Sequence, residues 1–372
     1  MPRDRHRPDS RPPEGSAPPP WLKLRGRGAG LNMAGRFERL AQTAEHDGWD
    51  IPEEERLLRT ELREETPRRI ITRNDSPDLP FDRSLNPYRG CEHGCIYCYA
   101  RPSHAFLGLS PGLDFETRLV AKPDAPEALA RELSTKNYRV RPLAIGTNTD
   151  PYQPVEARQG IMRRVLEVLR DFNHPVALVT RGTLIERDLD ILGPMAGRGL
   201  AQVGISVTTL DPALARRMEP RAPAPARRLA TIRALAGAGV PVRIMVSPVI
   251  PALTDHEMEA ILNAGAGAGA LAASWILLRL PLEVAPLFHD WLDRHCPDRA
   301  ERVRARLREM RGGRDNDPRY GHRMRGQGVF ADLLARRFAL ACRRLGLNRG
   351  LPGLDCSRFA VPPRPGDQLS LF

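Results

Sequence analysis

The chain has 372 residues, 41% hydrophobic and 27% charged, with a formal net charge of +12. That is enough apolar material for a substantial core, in one large domain with appendages or two modest ones, and it excludes a membrane span. The longest uncharged stretch, Ala260 to Leu278, holds Asn263, Gly265, Gly267 and Gly269 and reads as a helix end, a flexible turn and a buried strand.

No apolar signal-peptide core stands near the N-terminus, so a cytoplasmic, reducing location is expected. The basic residues are arginines except for Lys23, Lys122 and Lys136. GC-rich codon usage produces such a skew as readily as an anionic partner does, and nucleic acid is the usual such partner.

In chain order, residues 1–32 are rich in proline, arginine, glycine and serine, which predicts a disordered tail, with Met33 an alternative start of translation. Residues 33–80 form a charged extension with a predicted helix near Pro52 to Glu65. From about residue 81 to 285 strand and helix alternate, the pattern of a parallel sheet with right-handed crossovers. The predicted strands are Arg83 to Pro87, Leu143 to Gly146, Val176 to Thr180, Gln202 to Thr208, Val242 to Ser247 and Ser274 to Leu280, each short and apolar as doubly covered strands are. A helix over Gly160 to Phe172 repeats Ile161, Val165, Leu169 and Phe172 at helical spacing. Six strand-helix units make a partial (β/α)6 barrel, and such barrels place ligands at the carboxyl ends of their strands. Residues 286–350 form a helical, arginine-rich C-terminal extension, and 351–372 a linker and terminal peptide.

Just after the first predicted strand, Cys91, Cys95 and Cys98 stand in C-x3-C-x2-C spacing. Three soft thiolates on a short loop suit a 4Fe-4S cluster and leave one iron open. S-adenosylmethionine, whose amino and carboxylate groups form a chelate, is the candidate for that position. Zinc with His93 or His104 as fourth ligand is the alternative, although no second cysteine pair completes the usual structural site. A disulfide pair with a spare thiol would require an oxidising compartment.

The run Asn86 to Arg101, with Tyr97 before the third cysteine, resembles the cluster loop of the radical S-adenosylmethionine enzymes, in the branch related to spore photoproduct lyase. Similar blocks follow in order: Gly146 to Glu156, Val179 to Arg181, Arg187 to Asp190, Glu219 to Pro223 and Ser247 to Asp255. The resemblance implies a radical SAM barrel that reductively cleaves S-adenosylmethionine to a 5′-deoxyadenosyl radical. An external one-electron reductant of flavodoxin or ferredoxin type would drive it, and damaged DNA would be the substrate; RNA or a small metabolite is the alternative.

The strand-end residues then receive roles. Gly146, Thr147, Asn148, Thr149 and Asp150 correspond to the place where such enzymes hold the amino group of the cofactor. Arg181 can clamp its carboxylate, Ser206 and Thr208 can bond its ribose, and Tyr97 meets its adenine. Tyr99 resembles a tyrosine that follows the lyase cluster loop and relays a radical. Where the lyase carries a hydrogen-returning cysteine after the second strand, this chain has none, which argues against thymine-dimer reversal. Cys342, on the predicted helix Val329 to Leu345, faces a core, Cys296 has no partner spacing, and Cys356 is an alternative hydrogen donor. The arginines between Arg299 and Arg349 suit phosphates. The last residues, Gln368, Leu369, Leu371 and Phe372, resemble the peptide with which bacterial repair proteins engage the DNA sliding clamp.

Overall fold

The computed structural model describes residues 26–37 and 58–363. Among them ten strands form: β1 (Glu61–Glu64), β2 (Ile71–Arg73), β3 (Arg83–Leu85), β4 (Tyr88–Arg89), β5 (Arg118–Ala121), β6 (Leu143–Ile145), β7 (Val176–Thr180), β8 (Ala201–Ser206), β9 (Val242–Val249) and β10 (Ala272–Leu277). The main sheet runs β10-β9-β8-β7-β6-β3-β2, and the six strands from β3 to β10 are parallel neighbours. These six are the expected strands, each within a few residues of its expected ends, and the chain folds as a partial (β/α)6 barrel.

The apolar runs explain the layering. Val176 and Leu178 of β7 and Val242, Ile244 and Val246 of β9 are sealed in one continuous core. In the crossovers, helix Ile161–Asp171 buries Ile161, Met162, Val165, Leu166 and Leu169, and helix Met258–Gly267 buries Ile261 and Leu262. Alternate residues, such as Ala177 and Val179 or Arg243 and Met245, are only partly buried. One face of the sheet is therefore closed by helices and the other lines a partly open interior, so the strands are not dry on both faces as expected.

Buried arginines finish the barrel beyond β10. Leu277 donates its N–H to the Met324 carbonyl. Fully buried Arg311 donates to the carbonyls of Leu277, Leu278, His322 and Arg323. Arg323 pairs with Asp78, between β2 and β3, and so joins the last strand to the first across the open side of the barrel.

Three expectations change. Residues 26–32 are packed: Arg27 and Ala29 are buried, so a disordered tail reaching residue 32 is corrected from residue 26 onward. The helix expected near Pro52 to Glu65 gives way where described, because Glu61–Glu64 pairs in parallel with β5 in a small sheet ordered β1-β5-β4. Leu62 is the one apolar side chain of this strand, and its neighbours Glu61, Arg63 and Glu64 are charged, so backbone pairing to β5 decides the conformation. Residues 351–363 lie against the barrel, with Phe359 beside Tyr138, Phe172 and His174, and Asp355 donating its N–H to Gly199.

Replacing Arg311 by Ala strands four carbonyls, of which those of Leu277 and Leu278 are buried. We expect a loss of about 2–4 kcal/mol in denaturant unfolding, with early tryptic cleavage in residues 312–326. An unchanged midpoint and cleavage pattern would show that these bonds do not hold the loop.

Candidate active site

The cysteine loop leaves β4 and is fixed by its neighbours on every side. The Cys91 N–H bonds the Phe115 carbonyl, and Ile96 N–H bonds Met218. Gln153 accepts from Glu92 N–H at 2.8 Å and donates to the Gly90 carbonyl at 3.2 Å. Arg101, wholly buried, donates to the carbonyls of Gly94 and Cys95 and to the Glu116 carboxylate. Gly94, at φ +67, supplies the tight bend that a side chain would strain.

Cys91 and Cys95 are buried and Cys98 is partly exposed. Burial pushes the Cys91 thiol well up and the Cys95 thiol up to about 12, so metal loading has to displace protons. Arg181 offsets this by donating an N–H to Cys95 Sγ at 2.8 Å. Among the described residues no three His, Cys, Asp or Glu side chains are gathered around a single ion. His93 turns Nδ1 toward Asp150 at 3.3 Å, and His104 is buried edge-on against Phe115, so both zinc-ligand alternatives are otherwise placed. Three soft thiols, two of them sheltered and one bonded by a guanidinium, fit an iron-sulfur cluster with one open corner.

The expected cofactor residues gather at this same edge. Gly146 follows β6 at φ +88, and a Cβ there would lie 2.0 Å from the Val179 carbonyl, so only glycine lets the β6 and β7 ends approach. Asn86 organises the next two residues: its Nδ2 lies 3.5 Å from Thr147 Oγ1 and its Oδ1 accepts from Asn148 N–H at 3.1 Å. Thr149 is buried and donates to the Tyr88 carbonyl. Asp150, expected to receive an ammonium, accepts instead from Thr180 Oγ1, Tyr152 N–H and Arg181 N–H while facing His93. Its burial favours the neutral acid, but His93 and these donors prevail and hold its carboxyl below the usual range. Asp150 thus ties three segments together.

The fourth-strand residues and Tyr97 converge on a group without an expected role. Glu219 is buried and accepts from Tyr97 Oη, from Thr208 Oγ1 at 3.0 Å, from Arg181 at 3.1 Å and from Arg228. Ser206 donates to the Ser247 carbonyl at 2.9 Å. Tyr97 therefore points its hydroxyl into this network, and Arg181 caps its ring at 5.6 Å. Burial raises the Glu219 carboxyl, yet Arg228 and Arg181 outweigh it and bring it down to about 2. Tyr99 is 48% exposed; it donates to the Thr147 carbonyl and lies under Arg279 at 5.6 Å. Gln368, Leu369, Leu371 and Phe372 fall outside the described residues.

Sequence reasoning missed Glu219, Arg228, Glu116 and Arg101. The available signal was an acid and an arginine, Glu219 and Arg228, nine residues apart around a proline-rich turn. Cys356, named as an alternative hydrogen donor, is remote from the site: its neighbour Asp355 bonds Gly199, which precedes β8, so this thiol sits at the end of the barrel opposite the cysteine loop. Cys342 is buried as expected.

Changing Glu219 to Gln leaves Arg181 and Arg228 without a full countercharge, and we expect a loss of about 3–5 kcal/mol in denaturant unfolding. Because the folded carboxyl titrates near 2 against an ordinary 4.5, the stabilisation is complete above about pH 4.5 and is lost as pH falls toward 2. The variant should show less acid dependence over that window than the parent, and a parallel loss would refute the pairing.

The pattern of the radical SAM superfamily matches residues 85–264. A protein of Mycobacterium tuberculosis described as uncharacterized is 39% identical over 228 residues, spanning 61% of this chain and 67% of the relative. Another such protein, from Methanocaldococcus jannaschii, is 25% identical over 174 residues, 46% of this chain and 62% of its own. Among solved structures, spore photoproduct lyase complexed with dinucleoside spore photoproduct superposes with a TM-score of 0.51 at 16% identity, over 76% of this chain and 79% of the lyase, which shows a shared fold. The cysteine loop, the strand-end polar edge and these matches together place the chain in the radical SAM superfamily, whose members use a 4Fe-4S cluster and S-adenosylmethionine.

Proposed function

We propose that this radical SAM enzyme acts on DNA, in the repair or processing of an altered base. The observation that carries the radical reading is the placement of three thiols and Arg181 at the carboxyl edge of a parallel barrel, with Cys95 Sγ already bonded by the guanidinium. When bound, the cluster and S-adenosylmethionine supply one-electron reductive cleavage to methionine and a 5′-deoxyadenosyl radical.

The residues' part is positional. Cys91, Cys95 and Cys98 hold the cluster, while Thr147 and Asn148 offer polar groups at the β6 end for the cofactor's amino group. Arg181 would hold the cofactor carboxylate with the part of its fork other than Nη1, which is spent on Cys95, Tyr97 and Glu219, and Ser206 and Thr208 would supply hydroxyls to the ribose. Tyr99, exposed at the same edge, meets the substrate. Gly146 to Asp150 contains no cysteine and Cys356 lies at the far end, so the hydrogen returned to a product comes from another donor.

The DNA reading is supported by the fold neighbour and by the surface. Seven of the C-terminal arginines have partners in the protein: Arg304, Arg306, Arg308, Arg319, Arg323 and Arg337 in ion pairs, of which those of Arg306, Arg308 and Arg319 are at the surface, and Arg311 on carbonyls. Arg336, Arg343 and Arg344, on helix Val329–Leu345, are exposed and form no ion pair among the described residues. They form the phosphate-facing part of the extension.

Anaerobically reconstituted protein should release 5′-deoxyadenosine on reduction, and Ala at Cys91, Cys95 or Cys98 should abolish it. Full turnover in any of the three defeats the assignment. Deuterium carried from labelled DNA into 5′-deoxyadenosine would identify the substrate, whereas its appearance only from RNA or a metabolite would replace the DNA reading. Gln at Arg336, Arg343 and Arg344 together should lower the slope of log affinity against log salt by about 3. We propose further that the terminal peptide recruits the enzyme to the sliding clamp; removing Gln368 to Phe372 should eliminate clamp binding, and equal affinity would discard the idea.

A further inference from the structure

The segment Gly26 to Met33 has the composition of a flexible tail, yet it lies across the cysteine loop in extended contact. Gly28 and Ala29 donate their N–H groups to the two oxygens of Glu116, each at 2.8 Å. The same carboxylate receives Arg101, which holds the Gly94 and Cys95 carbonyls. One wholly buried acid thus couples the segment to the backbone between the second cysteine and the residue before it.

The fit is steric as well. A Cβ on Gly28 would lie 1.8 Å from the Gly94 carbonyl oxygen, and one on Gly112 would lie 2.1 Å from that of Leu31. The two backbones therefore run against each other with no side chain between them. Ala29 and Met33 continue into the apolar cluster that contains Cys95, Ile96 and Tyr97. Arg27, 8% exposed, anchors the near end on the carbonyls of Glu116 and Leu58, and Ser110 donates to the Met33 carbonyl at the far end. A chain begun at Met33 would keep only the contacts of Met33 itself.

We infer that residues 26–33 are a strap that covers one side of the cysteine loop, with Glu116 as the positioning residue that locks it, and that the strap keeps solvent and dioxygen from the iron-sulfur cluster. The physical reason is local. A thiolate-bound cluster loses iron through exposed edges, and here the loop's outer backbone is covered by another backbone at van der Waals distance. Glu116 makes no contact with the thiols; it acts through Gly28, Ala29 and Arg101. This inference rests on the cluster reading.

The test uses full-length, reconstituted protein carrying Gly28→Leu or Glu116→Gln. Gly28→Leu forces the strap off by collision, and Glu116→Gln keeps the volume while removing the charge that gathers its three donors. Two quantities are read: tryptic cleavage after Arg27, which reports strap release, and the rate at which iron passes to a ferrous chelator or the cluster absorbance bleaches in air. We expect early cleavage after Arg27 and about ten-fold faster iron loss in both variants, the equivalent of one lost charge-assisted hydrogen bond. Cleavage with an unchanged iron-loss rate would overturn the shielding role. Absence of cleavage in both variants would overturn the strap as a structure locked by Glu116. A wild-type preparation holding no iron would instead defeat the cluster reading itself, a result separate from either.

Discussion

Three thiols can serve one cluster only if the loop between them holds its shape without the metal, and this loop cannot hold it alone. Its residues make few bonds to one another; Gly94 to Cys91 and Cys98 to Cys95 are turn contacts. The shape comes from buried charges around it. Glu116 with Arg101 fixes the carbonyls of Gly94 and Cys95, Glu219 with Arg181 and Arg228 fixes the side beyond Tyr97, and Asp150 meets His93 from the strand end. Each acid sits on a different segment, Glu116 on the turn Asp114–Thr117 before β5, Asp150 after β6 and Glu219 before helix Pro225–Gly237, so the shape of the cysteine loop is set where these segments meet. A buried ion pair adds little net stability against an apolar pair of the same size, but breaking one partner is costly. Pairs of that kind favour a fixed geometry, and a fixed geometry is what the cluster needs.

The charge balance around the loop follows from the same pairs. Glu219 is shared by Arg181 and Arg228, and the Asp150 carboxylate accepts the Arg181 N–H, so two arginines face two acids beside Cys95 Sγ. Burial pushes the Cys91 and Cys95 thiols up, which favours their neutral form without metal. Bound to metal they would be thiolates, and Arg181 would then lie against a charged sulfur. The guanidinium thus serves as a preplaced counterion, and hydrogen bonding to a ligating sulfur is a known means of tuning such centres.

Much of this was legible from the sequence, and the reasons differ by element. The six parallel strands and the helices Ile161–Asp171 and Val329–Leu345 emerge from apolar runs of the right length ended by glycine, proline or polar residues. The small sheet β1-β5-β4 does not, because its strands are only two to four residues long and β1 is rich in charge, with Glu61, Arg63 and Glu64. β5 and β4 bury Leu119, Ala121 and Tyr88 in the core, but runs this short leave no readable period, and β1 is held by backbone pairing to β5. The strap is the sharper case. Arg25 to Gly30 alternates glycine with arginine and alanine, the composition of a linker, but at Gly28 the glycine is there because two backbones touch. Likewise the protein partners of Asp150 are not legible, since a carboxylate at a strand end looks the same in sequence whether it awaits a ligand or accepts from Thr180.

Access to the site is decided by the open side of the barrel. Arg323 reaches from beyond β10 to Asp78 between β2 and β3, while Arg279 leaves the β10 end to lie over Tyr99. The first contact closes the barrel; the second occurs at its rim, where Tyr99 keeps 48% of its surface exposed while its hydroxyl is held by Thr147. An aromatic ring fixed at its polar tip, covered on one side by a guanidinium and open on the other, presents a flat apolar face without losing conformational entropy on contact. A planar substrate group can stack there within reach of the β6 end, whereas a compact aliphatic metabolite would leave most of that face wet. The geometry of this rim is thus a second support for the nucleobase substrate we propose, separate from the arginine-rich composition.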